Sequence, residues 1–346
     1  MKNITSHRKK TKRHPIFPYF CAMKFKSSCI LIAALAFLAW FPSCGENKNE
    51  KTEKQYVVAS LRGPSSVAMI KLIDSLENQE DANIKVEIFN EPLQVRKMML
   101  DGTADFAILP TTMAALLYNK GLDYRMTAVP LRGTLYLCGN DTTIQTWDDL
   151  RGKKVYLMAK GMTPDVMFQH LLIENGLQPY DDVDLDYRFP THIDLANATL
   201  AGRAELSVIS EPYLSQALLE NDNLHILMDL SEEWNKTLGI PLCETAVLCK
   251  GSLAESHDST IKQFNEAYRR SADWVNTHPD SAAQLSVKHG IITDSLAVVH
   301  SITRSHIEFT EMKDAQTEVE AYLKVFYDMQ PEIIGEKMPD ERFYQK

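Results

Sequence analysis

The chain has 346 residues, of which 45% are apolar, enough for two domains of ordinary size and too rich in apolar side chains for a disordered polymer. Its formal net charge of -9 hides an asymmetry: residues 1–43 hold eight Lys and Arg and no Asp or Glu, leaving 29 basic against 46 acidic residues, or -17, in the remainder. That balance excludes nucleic acid as an expected partner, since phosphate binding needs a basic surface.

At the N-terminus, Lys24 and Lys26 precede an apolar run over 30–41 that is too short to span a bilayer comfortably and is followed by Pro42, Ser43, Cys44 and Gly45. The pattern resembles a bacterial lipoprotein signal, in which the cysteine after a small residue is lipidated and becomes the new first residue. Phe41 stands where such signals usually carry leucine, and an uncleaved membrane anchor is the alternative. Both place the body outside the cytoplasm, as a periplasmic or cell-surface protein. Residues 1–22 are unusual ahead of such a signal, and Met23 would begin one of normal length, so the expected start is Met23. The expected organisation is a signal segment over 1–43, a lipid-anchored tether over 44–54, a first lobe over 55–134 plus 246–346, and a second lobe over 135–245. The tether is polar and charged without periodicity, the composition of a flexible linker.

From residue 56 the pattern predicts a strand (56–61), a helix (65–76), a strand (84–89) and a helix (92–100). Residues 100–117, LDGTADFAILPTTMAALL, then return one hundred positions later as 200–219, LAGRAELSVISEPYLSQALL. Each copy reads as a helix ending at a glycine, where a left-handed backbone is cheap, then an acidic turn and a short apolar run. A run of that length bounded by turn signals is the mark of a strand buried on both faces. The flanks repeat too, with a strand at 154–158, a helix at 163–174, a strand at 183–187 and a helix at 192–200. Two β-α-β-α-β units therefore predict an α/β protein of two lobes, each a mostly parallel sheet flanked by helices. Strands at 131–138 and 245–249 would carry the chain out of the first lobe and back, forming a hinge that lets the lobes close on a ligand. The rest is helical, over 259–276, 279–288, 294–304 and 315–328, with stripes expected to pack on the first lobe.

Loops at the carboxyl ends of parallel strands line the crevice of such a fold. In the first unit these are Arg62, Gly63, Pro64, Ser65 and Ser66, and then Pro110, Thr111 and Thr112. In the second they are Gly161, Met162 and Thr163, and then Ser210 and Glu211, with Arg132 at the first crossing. Pro64 and the serines leave backbone N–H groups free at a helix start, favouring a negative group by about 0.3 to 1 kcal/mol. Arg62 would add a full charge, or is a surface arginine beside an ordinary cap. Glu211 would accept from an amino-bearing ligand or cap its own helix. A zwitterion or amino-heterocycle satisfies both groups.

Cys138, Cys243 and Cys249 are the cysteines of the body. Cys243 and Cys249 would lie about 20 Å apart on one extended strand and could not bridge. Cys138 and Cys249 could meet across adjacent strands, but three buried free thiols are expected. The spacing carries no zinc signature, and neither metal nor cofactor is expected.

These residues resemble a known family, the periplasmic substrate-binding proteins of ABC importers for nitrate, taurine, aliphatic sulfonates and thiamine-precursor pyrimidines. The resemblance rests on Leu-x-Gly-x-Ala-Asp over 100–105, Trp-Asp-Asp-Leu-Arg-Gly-Lys-Lys-Val over 147–155, Glu211-Pro212-Tyr213, and His-Pro-Asp-Ser-Ala-Ala over 278–283, and covers roughly residues 55–330. It implies a two-lobed type II binding-protein fold that captures a small ligand and delivers it to an ABC permease, working as a monomer. It also implies that Glu211 and Pro212 line the cleft and that Ser65, Thr112 and Thr163 contact ligand. The aromatic residues many members place in the first loop are absent from residues 62–66, which leaves the ligand class open. Some relatives of this fold are enzymes, desulfinase-like or of the menaquinone pathway, but no cysteine falls in a predicted first-lobe cleft loop. A third alternative is a module that presents ligand to a membrane sensor.

Overall fold

The short apolar runs that repeat one hundred residues apart become buried strands in the computed structural model, which describes residues 55–79 and 83–346. The expected signal segment, Cys44 and the tether lie outside the described residues. In chain order come β1 (Tyr56–Leu61), α1 (Pro64–Ala68), α2 (Ile70–Glu77), β2 (Ile84–Phe89), α3 (Pro92–Leu100), β3 (Phe106–Pro110), α4 (Thr111–Asn119) and β4 (Tyr124–Leu131). Next are β5 (Leu135–Gly139), β6 (Lys154–Tyr156), α5 (Thr163–Glu174), β7 (Asp184–Asp186), α6 (His192–Leu200), β8 (Leu206–Ser210), α7 (Tyr213–Glu220), β9 (His225–Asp229) and α8 (Leu230–Leu238). The chain finishes with β10 (Thr245–Lys250), α9 (Gly251–Ser256), α10 (Asp258–Thr277), α11 (Pro279–Lys288), α12 (Ser295–Arg304), β11 (Ile307–Glu311) and α13 (Met312–Met329).

Local chemistry sets several of these boundaries. Pro92 opens α3, where its missing N–H would have had no partner in any case, and the Glu91 N–H donates to the Gln94 side chain at 3.1 Å. Both repeat helices stop in the same way, with Gly102 at φ +68° and Gly202 at φ +65°, a conformation that side chains with a Cβ adopt only under strain. Asp294 caps α12 by accepting from the N–H groups of Leu296 and Ala297.

The strands form two sheets, ordered β11-β4-β10-β3-β1-β2 and β7-β6-β8-β5-β9. Each duplicated unit supplies a parallel trio, β2-β1-β3 in one and β7-β6-β8 in the other. The third strand of each trio then pairs antiparallel with a strand arriving from the other half of the chain, β10 on β3 and β5 on β8. The sheets keep the mostly parallel sense expected, with β2, β1, β3 and β4 running one way in the first and β7, β6, β8 and β9 in the second, while the exchanged strands run back along their neighbours. The single strand expected over 131–138 is broken by residues 132–134 into β4 in one sheet and β5 in the other. The return crossing lies between α8 and β10.

That division decides the cysteine question. Cys138 sits in the second sheet and Cys249 in the first, so they are not on adjacent strands. Cys138, Cys243 and Cys249 are free and buried, and burial pushes each thiol up to about 12, well away from the reactive thiolate. Among the described residues no helix is long and apolar enough to cross a membrane, and no group of His, Cys, Asp and Glu could hold a metal ion.

Two buried clusters hold the body together. One face of the first sheet packs on α10, α11 and α12, with the Phe106 and Phe264 rings 4.3 Å apart. The other cluster runs continuously from the opposite face of that sheet to the second sheet. Helix α13 is its bridge: Tyr322 lies 5.6 Å and Phe326 6.1 Å from Trp234 of α8, centroid to centroid. The C-terminal stripe, expected to pack on the first lobe, packs on the second half as well. Phe264→Ala would remove a ring with no exposed surface, and is expected to cost about 3–5 kcal/mol, read as a lower urea midpoint at unchanged m-value.

Candidate functional site

The four loops singled out in the sequence meet in two pairs between the halves. Thr112, in the first turn of α4, and Thr163, the first residue of α5, share a buried hydroxyl–hydroxyl hydrogen bond of 2.7 Å across the two halves. Gly63 has φ +120°, and a Cβ built there would lie 3.8 Å from Cδ of Pro212. The first loop of one half therefore abuts the last loop of the other. On the opposite flank, a Cβ on Gly161 would lie 3.6 Å from Nε2 of Gln330, beyond the end of α13.

Several candidate side chains are engaged by the protein itself. Ser66 closes its own turn, its Oγ donating to the Gly63 carbonyl at 3.0 Å and accepting from the Gly63 N–H at 3.2 Å. Ser65 is buried, and its carbonyl accepts from the Tyr268 hydroxyl at 2.9 Å. The Arg62 guanidinium donates to Asn90 Oδ1 at 2.7 Å and to the carbonyls of Gly290 and Ile291, strapping the first loop to the turn between α11 and α12. Arg132 is buried at the first crossing and donates to Glu318 Oε2 at 2.7 Å, Thr310 Oγ1 at 2.8 Å and Glu308 Oε1 at 3.3 Å. Both arginines are thus turned to structural partners. Met162 is exposed and Pro110 half-buried. Thr111 is fully buried and its hydroxyl has no partner.

Glu211 makes the helix-capping contacts that were one of its two expected roles. Its carboxylate accepts from the Ser215 N–H at 3.1 Å and the Ser215 hydroxyl at 2.8 Å, so it caps α7, and Arg304 Nη1 lies 3.7 Å away. Burial pushes its acidity toward the protonated form, while the Ser215 and Arg304 contacts oppose this. Ser210 shares a 2.6 Å hydrogen bond with Nδ1 of His192, whose ring stacks on Tyr213 at 5.9 Å. Desolvation pulls that imidazole down to about 4, so it is neutral at physiological pH and a weak proton acceptor for a hydroxyl.

Sequence reading missed a clasp at residues 304–306, which lies outside the repeats. Arg304 Nη1 donates to Ser215 Oγ at 2.9 Å, and the Arg304 carbonyl accepts from the Tyr136 hydroxyl at 2.6 Å. His306, left-handed at φ +41°, reaches Asp229 Oδ2 at 2.8 Å. The end of α12, which packs on the first sheet, is in this way pinned to β5, α7 and β9 of the second half. Two surface recesses of about 600 and 280 Å³ lie along α8, and neither is lined by the duplicated loops.

The clasp titrates. The hydrogen bond to Asp229 raises His306 above its ordinary 6.5. For Asp229 burial acts upward, but the bonds from His306 and from the backbone of Glu232 and Ser231 bring it below the ordinary 3.8. The His306 contribution is therefore complete below 6.5 and is lost as pH rises through the raised value. That of Asp229 is present above 3.8 and fades as pH falls through the lowered one. Between about pH 6 and about pH 9 the wild type is expected to lose urea resistance that His306→Asn does not lose.

Comparison with known proteins agrees with this architecture. A sequence profile of the family described as NMT1/THI5 like matches residues 79–282. A curated relative, the putative binding protein YtlA of Bacillus subtilis strain 168, is 25% identical over 206 residues, 59% of this chain and 54% of its own, so the chain spans about half of that relative's length. The crystal structure of an ABC transporter from Parabacteroides distasonis shares 26% identity at TM-score 0.75, over 85% of this chain and 99% of that one. The periplasmic aliphatic sulphonate binding protein SsuA of Escherichia coli shares the fold at 19% identity and TM-score 0.68, over 85% and 92% of the two chains.

Proposed function

The chain belongs to the NMT1/THI5-like family, and on that premise we propose that it is an extracytoplasmic solute-binding protein of an ABC importer. It captures a small anionic, zwitterionic or amino-heterocyclic molecule between its lobes and hands it to a membrane permease. The lobes are residues 55–134 with 246–346, and residues 135–245. A lipid on Cys44 holds the protein to the membrane by the tether over 45–54, and it acts as a monomer. The observation that carries the reading is the meeting of the duplicated loops across the two sheets, Thr112 on Thr163 and Gly63 against Pro212. Loops at corresponding strand ends of two similar units, joined by two crossings, can part to admit a solute and close to surround it. The similarity to an ABC transporter structure and to a sulphonate-binding protein supports the same assignment.

The Ser210–His192 pair favours a second reading, a hydrolase on the same fold. An imidazole with a pKa of about 4 holds few protons at neutral pH and accepts one from a serine poorly. Glu211, the neighbouring carboxylate, is engaged by Ser215. Binding is the better account.

Two measurements test the proposal. A thermal-shift screen of residues 55–346 against sulfonates, pyrimidines and small carboxylates is expected to give at least one compound that raises the melting temperature. At a hundred times its Kd such a compound stabilises by about 2.7 kcal/mol. It should also shrink the radius of gyration in solution scattering, and a screen without a single response would revive the enzyme and sensor readings. Separately, Cys44→Ala is expected to move the protein from the membrane fraction to the soluble fraction and to abolish incorporation of labelled palmitate. Retention in the membrane would point to an uncleaved anchor instead.

A further inference from the structure

The first crossing narrows to a single residue. Arg132 is fastened to the first half: its N–H donates to the His306 carbonyl at 3.0 Å and its guanidinium reaches Glu308, Thr310 and Glu318, with Cys243 Sγ of the return crossing 3.4 Å away. Thr134 is fastened to the second half and to the return crossing. Its carbonyl accepts from the Glu211 N–H at 2.9 Å, and its hydroxyl donates to Glu244 Oε1 at 2.8 Å. The strand before Arg132 ends in the first sheet at Leu131, and the strand after Thr134 begins in the second at Leu135. Among the described residues no hydrogen bond holds Gly133, which lies between them.

The missing side chain at this point is filled by the second half. A Cβ built on Gly133 would overlap Ser231 Oγ in the first turn of α8, and would lie 2.9 Å from Ser231 Cβ and 3.4 Å from Cδ1 of Leu242 on the return crossing. Rotating Ser231 about χ1 would move its hydroxyl and leave its Cβ in place. Two Cβ atoms do not pack that closely, so any side chain at residue 133 must drive α8 and the crossing apart. Ser231 is buried and its hydroxyl has no partner, so what it brings to the contact is volume and not a hydrogen bond.

We propose that Gly133 is the pivot of lobe closure and that its bare face is the seat on which Ser231 must settle for the lobes to shut. This rests on the solute-binding reading and names the residue that positions its two halves. The link to the rims is short: Thr134 holds the N–H of Glu211, the next residue is Pro212, and Pro212 faces Gly63 of the opposite half. Rims lie farther from a pivot than the groups seated on it, so a small separation at Gly133 becomes a larger one there. Bulk at residue 133 also pulls on the clasp, because the Ser231 N–H donates to Asp229 Oδ1 at 2.8 Å and Asp229 Oδ2 holds His306.

The distance between the lobes, measured without any solute, tests the pivot. Leu93 and Ile193 hold equivalent places in the two repeats, each in the first turn of its helix, and are 66% and 54% exposed. Leu93→Cys and Ile193→Cys carry the spin labels, while Cys138, Cys243 and Cys249 are buried. By pulsed dipolar spectroscopy on the mature protein in detergent, Gly133→Ala is expected to lengthen the mean label distance by more than about 2 Å. Ser231→Gly in the same chain should restore the starting distance. Ser231→Val presses on the same contact from the other side, should lengthen the distance too, and decides the matter if Gly133→Ala fails to fold. A folded Gly133→Ala with an unchanged distance, even with a lower urea midpoint, overturns the proposal. A lengthening that Ser231→Gly does not reverse, or an unchanged distance in Ser231→Val, overturns it as well. No solute enters these measurements, so solute capture stands or falls separately with the thermal-shift screen.

Discussion

Each sheet is completed by a strand that the chain delivers from the other half, and the rest of the architecture depends on that exchange. β10 lies against β3 and β5 against β8, in full antiparallel register over five residues each. Neither half can finish its sheet alone, since the edge of each parallel trio would otherwise present unpaired N–H and C=O groups. The exchange also brings the two crossings side by side, so that Thr134 and Glu244 can bond. A pair of adjacent crossings is a mechanical hinge.

Helix α13 modifies that hinge. Residues 245–311 build onto the first sheet, and α13 follows directly from β11 at its edge, yet Tyr322 and Phe326 pack on Trp234 of the second half. The lobes are consequently joined at three places. A swing about the crossings must carry aromatic rings over one another, so the motion open to this chain combines rotation at the crossings with shear along α13. The clasp at residues 304–306 adds polar latches on the same side, where Arg304 and His306 meet Ser215 and Asp229.

Local chemistry and repetition were legible in the sequence; partnerships between distant residues were not. The helices Pro92–Leu100 and Pro279–Lys288 match their expected bounds because a proline fixes each start and a turn residue each end. The duplication was legible as strand ends and helix starts around Gly63, Thr112, Thr163 and Glu211, since a repeated strand–loop–helix pattern carries its own geometry. Strand β4 went unread because Arg125 and Pro130 interrupt its alternation, and its place in the sheet comes from pairing with β10 more than one hundred residues away. The protein partners of Arg62 and Arg132 could not be read, because nothing local shows that their acceptors come from residues 290–291 and 308–318.

Gly63 carries a consequence of its own. It combines a backbone angle that favours glycine with a bare face directed at Pro212 across the gap. A larger residue here would be strained within its own turn and would also act as a wedge between the two jaws. Its lack of a side chain therefore serves two ends at once: a sharp corner after β1, and the clearance that allows the opposing rims to seat flush.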